Sequence, residues 1–128
     1  MHPDLRRIVA VEVHRRRAGR CPYTVYAFDA GEVFAIEPYA GGFRDLASGL
    51  AVRSEPGRIV LEDGGVVELR LDGDVGFSGR DLVSGERFTG RAGGGTSVTV
   101  YDARGEQFFP YGMAGPGGEL SAETLAEA

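Results

Sequence analysis

Short runs of alternating apolar and polar residues, separated by glycine, recur along this chain. Successive side chains of a β-strand point to opposite faces, so alternation with a period of two predicts a strand with one buried face. The run over 66–72 shows this most clearly, because valine or leucine alternates there with charged residues. Further strands are predicted over 8–14, 23–28, 58–62, 86–89, 97–101 and 106–109.

The spacing of these runs predicts the fold class. The 128-residue chain has 21 glycines, most of them between the runs, where they supply turns. About eight to ten short strands at close spacing indicate an all-β protein, either an antiparallel β-sandwich or a barrel. We expect a single all-β domain over 1–112 and a flexible tail over 113–128, in which Ser121 can cap a short helix through Glu127.

An internal repeat indicates that part of the chain is duplicated. The six residues 44–49 recur at 80–85 with five identities, at an offset of 36 residues. Turns that carry aspartate at 29–31, 63–65 and 102–105 leave open a second interpretation, in which three units form a β-trefoil. The third unit lacks the Arg-Asp-Leu motif, which favours the duplication.

The repeated element predicts a turn of defined geometry. We expect Asp45 and Asp81 to accept hydrogen bonds from turn amides, and Gly49 and Gly85 to adopt positive φ. The large aliphatic residues that both copies share, and that we expect in the core, are Leu46 and Leu82.

Charge and composition exclude several classes of function. The net charge is −5, and all 14 basic residues are arginine. Such an acidic chain is not expected to bind nucleic acid, which needs a basic footprint. No apolar stretch is long enough to span a bilayer and no signal peptide is visible, so we expect a cytoplasmic protein without membrane contact. Residues 1–20 differ from the rest, because six arginines against two acids give them a charge of +4.

The residues that usually carry catalysis or bind metals are scarce. Cys21 is the single cysteine, and His2 and His14 are the two histidines. A cysteine nucleophile needs a histidine base and an orienting acid, and a transition-metal site needs three or four ligands. The spacing of these residues specifies neither arrangement. We therefore predict no enzyme activity, no metal site and no cofactor.

The segment 43–49, followed by Val52 and the run over 58–71, resembles the C-terminal all-β domains of some glycoside hydrolases. In those domains an Asp-Leu-x-x-Gly turn precedes a short strand and a closing pair of hydrophobic strands. The run over 23–28 is similar to the strand before that turn, although Asp29 stands where those domains usually carry Asn. The resemblance implies a non-catalytic β-sandwich and carries over no catalytic residue.

These observations favour a non-catalytic interaction or assembly module, such as a small structural subunit of a larger oligomer or virion-type particle. Its partner would be another protein or a second copy of the chain. The alternatives are a carbohydrate-associated accessory domain with a platform of aromatic rings, and a barrel that holds a small ligand. The residues predicted to meet a partner are Arg15, Arg16, Arg17, Arg20, Leu120 and Leu125. The aromatic residues considered for a carbohydrate platform are Tyr23, Tyr39, Phe43, Tyr101, Phe109 and Tyr111.

Overall fold

One α-helix followed by ten β-strands accounts for the regular structure of residues 1–116, the part of the chain that the computed structural model describes. The helix is α1 (Pro3–Ala18), and the strands are β1 (Thr24–Ala27), β2 (Glu32–Tyr39), β3 (Gly42–Asp45), β4 (Leu50–Glu55), β5 (Arg58–Leu61), β6 (Val66–Asp72), β7 (Gly76–Asp81), β8 (Arg87–Ala92), β9 (Ser97–Asp102) and β10 (Gln107–Ala114). Within 1–116 no helix is long and apolar enough to cross a membrane. The helix predicted over 121–127 and most of the predicted flexible tail lie outside the described residues, as do Leu120 and Leu125.

The ten strands form one closed antiparallel barrel. Each strand pairs with its neighbours in sequence, and the ring closes where β1 pairs with β10, with Val25 opposite Met113. The prediction of an all-β antiparallel sandwich or barrel is confirmed, and the structure selects the barrel. The alternative β-trefoil is not formed, because every connection leads to the next strand around a single ring.

Helix α1 lies in the lumen of this barrel. Residues 7–14 are all buried, so more than two turns of the helix have no exposed face. Ile8, Val9 and Val11 share one core with inward-facing residues from around the ring, including Phe43 and Phe77. The helix therefore fills the interior that ten strands enclose.

The prediction of a strand over 8–14 is wrong. Val9, Val11 and Val13 do alternate with other residues, as they would in a strand. A helix that is buried on every side is apolar all round, however, so Ile8 and Ala10 are as buried as the valines. A short apolar segment of this kind does not reveal its period, and the β-branched valines favoured the wrong one.

Both ends of α1 carry sequence signals of a helix terminus. His2 is the N-cap, where its Nδ1 accepts a hydrogen bond from the amide of Asp4 at 3.1 Å, and Pro3 follows in the first turn. At the other end Gly19 adopts a φ of 76° and donates its amide to the carbonyl of Arg15. The residues flanking the apolar segment therefore indicated a helix where the segment itself did not.

The two ends of the barrel differ in chemistry. The acidic rim is the end formed by the turns after β1, β3, β5, β7 and β9, each of which has an aspartate at or within two residues of the strand end. These aspartates recur every 16–21 residues, so the repeating unit is one hairpin and the 36-residue offset spans two hairpins. The arginine rim is the opposite end, where the last turn of α1 meets the turns after β4 and β6. The aspartates of the acidic rim are Asp29, Asp45, Asp63, Asp81 and Asp102.

The repeated turn has the predicted backbone geometry but not the predicted packing. Gly49 and Gly85 both have a φ of 77°, and Asp81 accepts a hydrogen bond from the amide of Val83 at 2.9 Å. The prediction that the two leucines point into the core is wrong, since Leu46 is 48% exposed and Leu82 is 44% exposed. The turns project beyond the strands at the acidic rim, where the helix in the lumen already occupies the core.

The two copies of the aspartate have different surroundings. Asp45 is fully buried and binds the guanidinium of Arg7, with Oδ1 2.9 Å from Nε and Oδ2 2.5 Å from Nη2. Arg7 also contacts Asp4 at 2.8 Å, and its guanidinium lies 4.0 Å from the ring centroid of Phe34. This two-point ion pair joins the first turns of α1 to β3, whereas the carboxylate of Asp81 binds, among residues 1–116, only groups of its own turn.

We expect Asp45→Ala to lower the free energy of unfolding by about 3–5 kcal/mol, because it leaves the buried guanidinium of Arg7 without its carboxylate. The matched change Asp81→Ala removes the equivalent residue of the next copy but exposes no buried charge, and should lower it by about 0.5–1.5 kcal/mol. Urea denaturation followed by circular dichroism measures both values. Equal losses in the two variants would contradict the structural role assigned to the ion pair.

Candidate functional site

The arginines predicted to meet a partner lie at the arginine rim, and two of the four bind the barrel itself. Arg16 donates to the carbonyls of Glu55 and Arg58 at 2.8 and 2.9 Å, and Arg17 donates to the carbonyl of Gly76 at 2.8 Å. These bonds tie the last turn of α1 to two β-turns. The structure thus gives Arg16 and Arg17 an internal role, and their role toward a partner stays a prediction.

A buried carboxylate accompanies these arginines. Glu12 is fully buried in α1, with Oε2 3.0 Å from Nε of Arg16 and Oε1 3.5 Å from Nη1 of Arg15. An isolated buried carboxylate is strongly unfavourable, so the arginines of the next turn stabilise it. Of the four predicted arginines, Arg20 is the one that is exposed.

A cleft of about 620 Å³ opens beside these residues at the arginine rim. His14 and Thr96 lie in its wall, and the Nδ1 of the histidine and the Oγ1 of the threonine are both buried without a hydrogen-bond partner among the described residues. Burial lowers the pKa of His14, a backbone hydrogen bond with Gly95 opposes this, and the nearby charge of Arg20 lowers it further. His14 is therefore neutral at pH 7.

Cys21 lies in the wall of the same cleft as a protonated thiol. Burial raises its pKa to about 11, well above neutral pH, although the charge of Arg15 lowers it in part. A thiol in this state is a poor nucleophile and a poor metal ligand. Among residues 1–116 no group of three histidine, cysteine or acidic side chains is arranged to hold a metal ion.

The burial of His14 makes stability depend on pH. In the unfolded chain His14 takes up a proton near its ordinary pKa of 6.5, whereas the folded chain resists it because its pKa is lower. The free energy of unfolding should therefore fall as the pH drops from 7 to 5, and His14→Gln should flatten this dependence. Urea denaturation at several pH values tests it, with His2→Gln as the control for loss of a histidine. The same slope in His14→Gln as in the unmutated chain would contradict it.

A second candidate site lies on the outer wall, where β9, β10, β1 and β2 are adjacent. We call it the aromatic face. Phe108 and Val33 are its most exposed members, at 69% and 61%. The rings of Tyr101 and Phe108, on paired strands, are 4.6 Å apart at their centroids, and those of Tyr26 and Phe28 are 6.4 Å apart. The outward residues that define the aromatic face are Tyr26, Phe28, Val33, Tyr101, Phe108 and Pro110.

The pairing of the strands makes the aromatic face continuous. Val33 on β2 lies opposite Tyr26 on β1, which lies opposite Gly112 on β10. The amide of Phe28 donates to the carbonyl of Pro110 at 3.2 Å, which brings the two aromatic pairs onto one surface. Six apolar side chains thus cover four neighbouring strands.

The wall formed by β3 to β7 is different in character. It carries charged residues that pair with each other, such as Arg80 with Glu68 at 3.0 Å and Arg44 with Glu62 at 3.4 Å. Arg70 and Asp72 form a further pair at 2.7 Å. Water solvates such a wall well, whereas the two most exposed apolar side chains of the described strands, Phe108 and Val33, lie on the other side of the barrel.

Sequence reasoning found only part of the aromatic face. Of the rings considered for a carbohydrate platform, Tyr101 lies on the face, while Phe43, Phe109 and Tyr111 are buried in the core. Phe108 was missed because it is adjacent to Phe109. Only the register of the strand decides which of two neighbouring residues points outward. The alternation of β1, which sets Tyr26 and Phe28 opposite Val25, was the signal that could have found the rest.

Comparisons with protein-family models, with curated proteins and with solved structures find no match to this chain. The resemblance to the C-terminal domains of glycoside hydrolases therefore stays a prediction.

Proposed function

We propose that this chain is a non-catalytic interaction module whose aromatic face docks on another protein surface. The observation that carries the proposal is the division of the outer wall into a charged, internally paired side and an apolar side with Phe108 and Val33 exposed. Contiguous apolar surface on a folded chain marks an interaction site, and tyrosine and phenylalanine are enriched at the centres of interfaces.

The closed barrel supports recognition through side chains. A strand from a partner needs an open sheet edge to pair with, and the ring of ten strands offers none. The lumen is filled by α1, so the inner surface that a small-ligand barrel uses is covered here. What the fold offers to a partner is a rigid outer surface whose side chains are held by paired strands.

A carbohydrate-associated role is the second candidate, since the exposed rings are also what a sugar would stack on. The rings of Tyr101 and Phe108 are inclined by 33° to each other, so they do not form one flat platform. The four outward residues that flank them on the face are apolar or aromatic as well, apart from the hydroxyl of Tyr26. Sugar recognition also needs directional hydrogen bonds, and we therefore rank a protein partner first.

Photo-crosslinking tests the proposal. With p-benzoylphenylalanine in place of Phe108 in the full chain, irradiation of the cells that produce the protein should give discrete adducts of higher mass. The same probe in place of Val60, on the opposite wall, should give none. The adduct should also be lost when Tyr26→Arg is added, because a guanidinium in the middle of the aromatic face cannot be buried without a partner charge. Absence of a protein adduct at position 108, or equal labelling at position 60, would contradict the proposal.

A further inference from the structure

We propose that the aromatic face binds a second copy of this chain, related to the first by a two-fold axis parallel to the strands of the face. This inference rests on the proposed function and specifies its partner. It is carried by the charges that border the aromatic face on its two sides.

The two borders of the aromatic face carry opposite charges. On β8, next to β9, Arg87 and Arg91 point outward and are exposed. On β2, at the other side of the face, Glu37 points outward, since it follows the buried Ile36, and it is exposed. None of these three side chains has an ion-pair partner among residues 1–116, whereas the arginines of β3, β6 and β7 are paired with carboxylates.

Arg91 and Glu37 lie at similar heights along the barrel. Strands β8 and β2 both start at the acidic rim. Arg91 and Glu37 follow four and five residues after the first residues of these strands, about 13 and 17 Å further along. The two borders therefore present opposite charges at a similar distance from the same end of the barrel.

A two-fold axis parallel to the strands brings the opposite charges of the two borders together. Such an axis places β8 of one copy over β2 of the other and keeps the heights unchanged, so Arg91 faces Glu37. Each contact occurs twice, as in any isologous interface. An axis across the strands would instead place the arginine border over itself and the acidic border over itself, so the charges select the first axis.

The curvature of the barrel explains why long charged residues stand at the borders. Two convex walls touch along a central strip, here the outward side chains of β10 and β1, and separate on either side. Tyr26, Phe28 and Phe108 lie in that strip and can exclude water from one another's surfaces. At the borders, arginine and glutamate side chains are long enough to bridge the widening gap.

Sedimentation equilibrium of the full chain tests the inference. The unmutated chain should sediment as a dimer, at twice 13.6 kDa. Arg91→Glu and Glu37→Arg should each weaken the association by roughly tenfold or more, because each replaces two attractive contacts with two repulsive ones. The control Arg70→Glu, an exposed change on the opposite wall, should leave it unchanged.

Variants that restore the charge pairs test the proposed axis more directly than the single variants do. The double variant Arg91→Glu/Glu37→Arg should dimerise again, and an equimolar mixture of the two single variants should form a mixed dimer, since every border contact is then between opposite charges. All these positions are exposed, and thermal unfolding checks that each variant is folded. A dimer that neither single variant weakens, or that the double variant does not restore, overturns the proposed axis.

The outcomes separate the inference from the proposed function. If the unmutated chain is a monomer and the adduct at position 108 adds a mass other than 13.6 kDa, the aromatic face binds a different protein and only this inference fails. If the chain is a monomer and position 108 gives no adduct, both fail. A dimer with the expected charge dependence and an adduct of twice the chain mass supports both.

Discussion

The helix in the lumen is the constraint on which the other parts of this barrel depend. A ring of about eight strands is just filled by its own side chains, and a ring of ten is wider. Here α1 fills the excess space, with Ile8, Val9 and Val11 fully buried. Barrel and helix therefore stabilise each other, because a short isolated helix is marginal in water and a ten-stranded ring without it would enclose an empty interior.

Buried charges fix the position of the helix along the barrel axis. Toward the acidic rim, Arg7 is held by Asp45; toward the arginine rim, Glu12 is held by Arg16, which also binds the turn after β4. Sliding the helix by one turn would break the Arg7–Asp45 pair and leave both charges buried without partners. It would also move Arg16 away from the carbonyls of Glu55 and Arg58, whereas the Glu12–Arg16 pair lies within the helix and would move with it. The apolar contacts fill the lumen, and the bonds of Arg7 and Arg16 to the barrel specify a single register within it.

The alternation of residue types predicts six of the ten strands, but it does not predict β2, β3, β4 or β7, the helix, or the whole aromatic face. The predicted range of β6 agrees with the observed one. One face of that strand is buried and the other is exposed to solvent, so apolar and charged residues alternate along it. The lumenal helix has no solvent-exposed face over residues 7–14, so its sequence there shows no helical alternation of apolar and polar residues. For Phe108 and Phe109 the residue types are alike, and only the pairing of β10 with β9 decides which ring is outside. Arg91 and Glu37 lie 54 residues apart in sequence, and nothing local relates them.

The order of the elements along the chain also determines how the protein can be made. The helix is synthesised before any of the strands that surround it, yet the ring closes only when β10 pairs with β1. Until then the apolar segment around Val9 and Val11 has no enclosure, and the closing contact joins residues almost 90 positions apart, as Val25 and Met113 show. Contacts this distant in sequence slow folding. From the synthesis of α1 until that of β10, the hydrophobic helix is therefore without its enclosure, and a partly folded state that exposes such a segment is prone to aggregation.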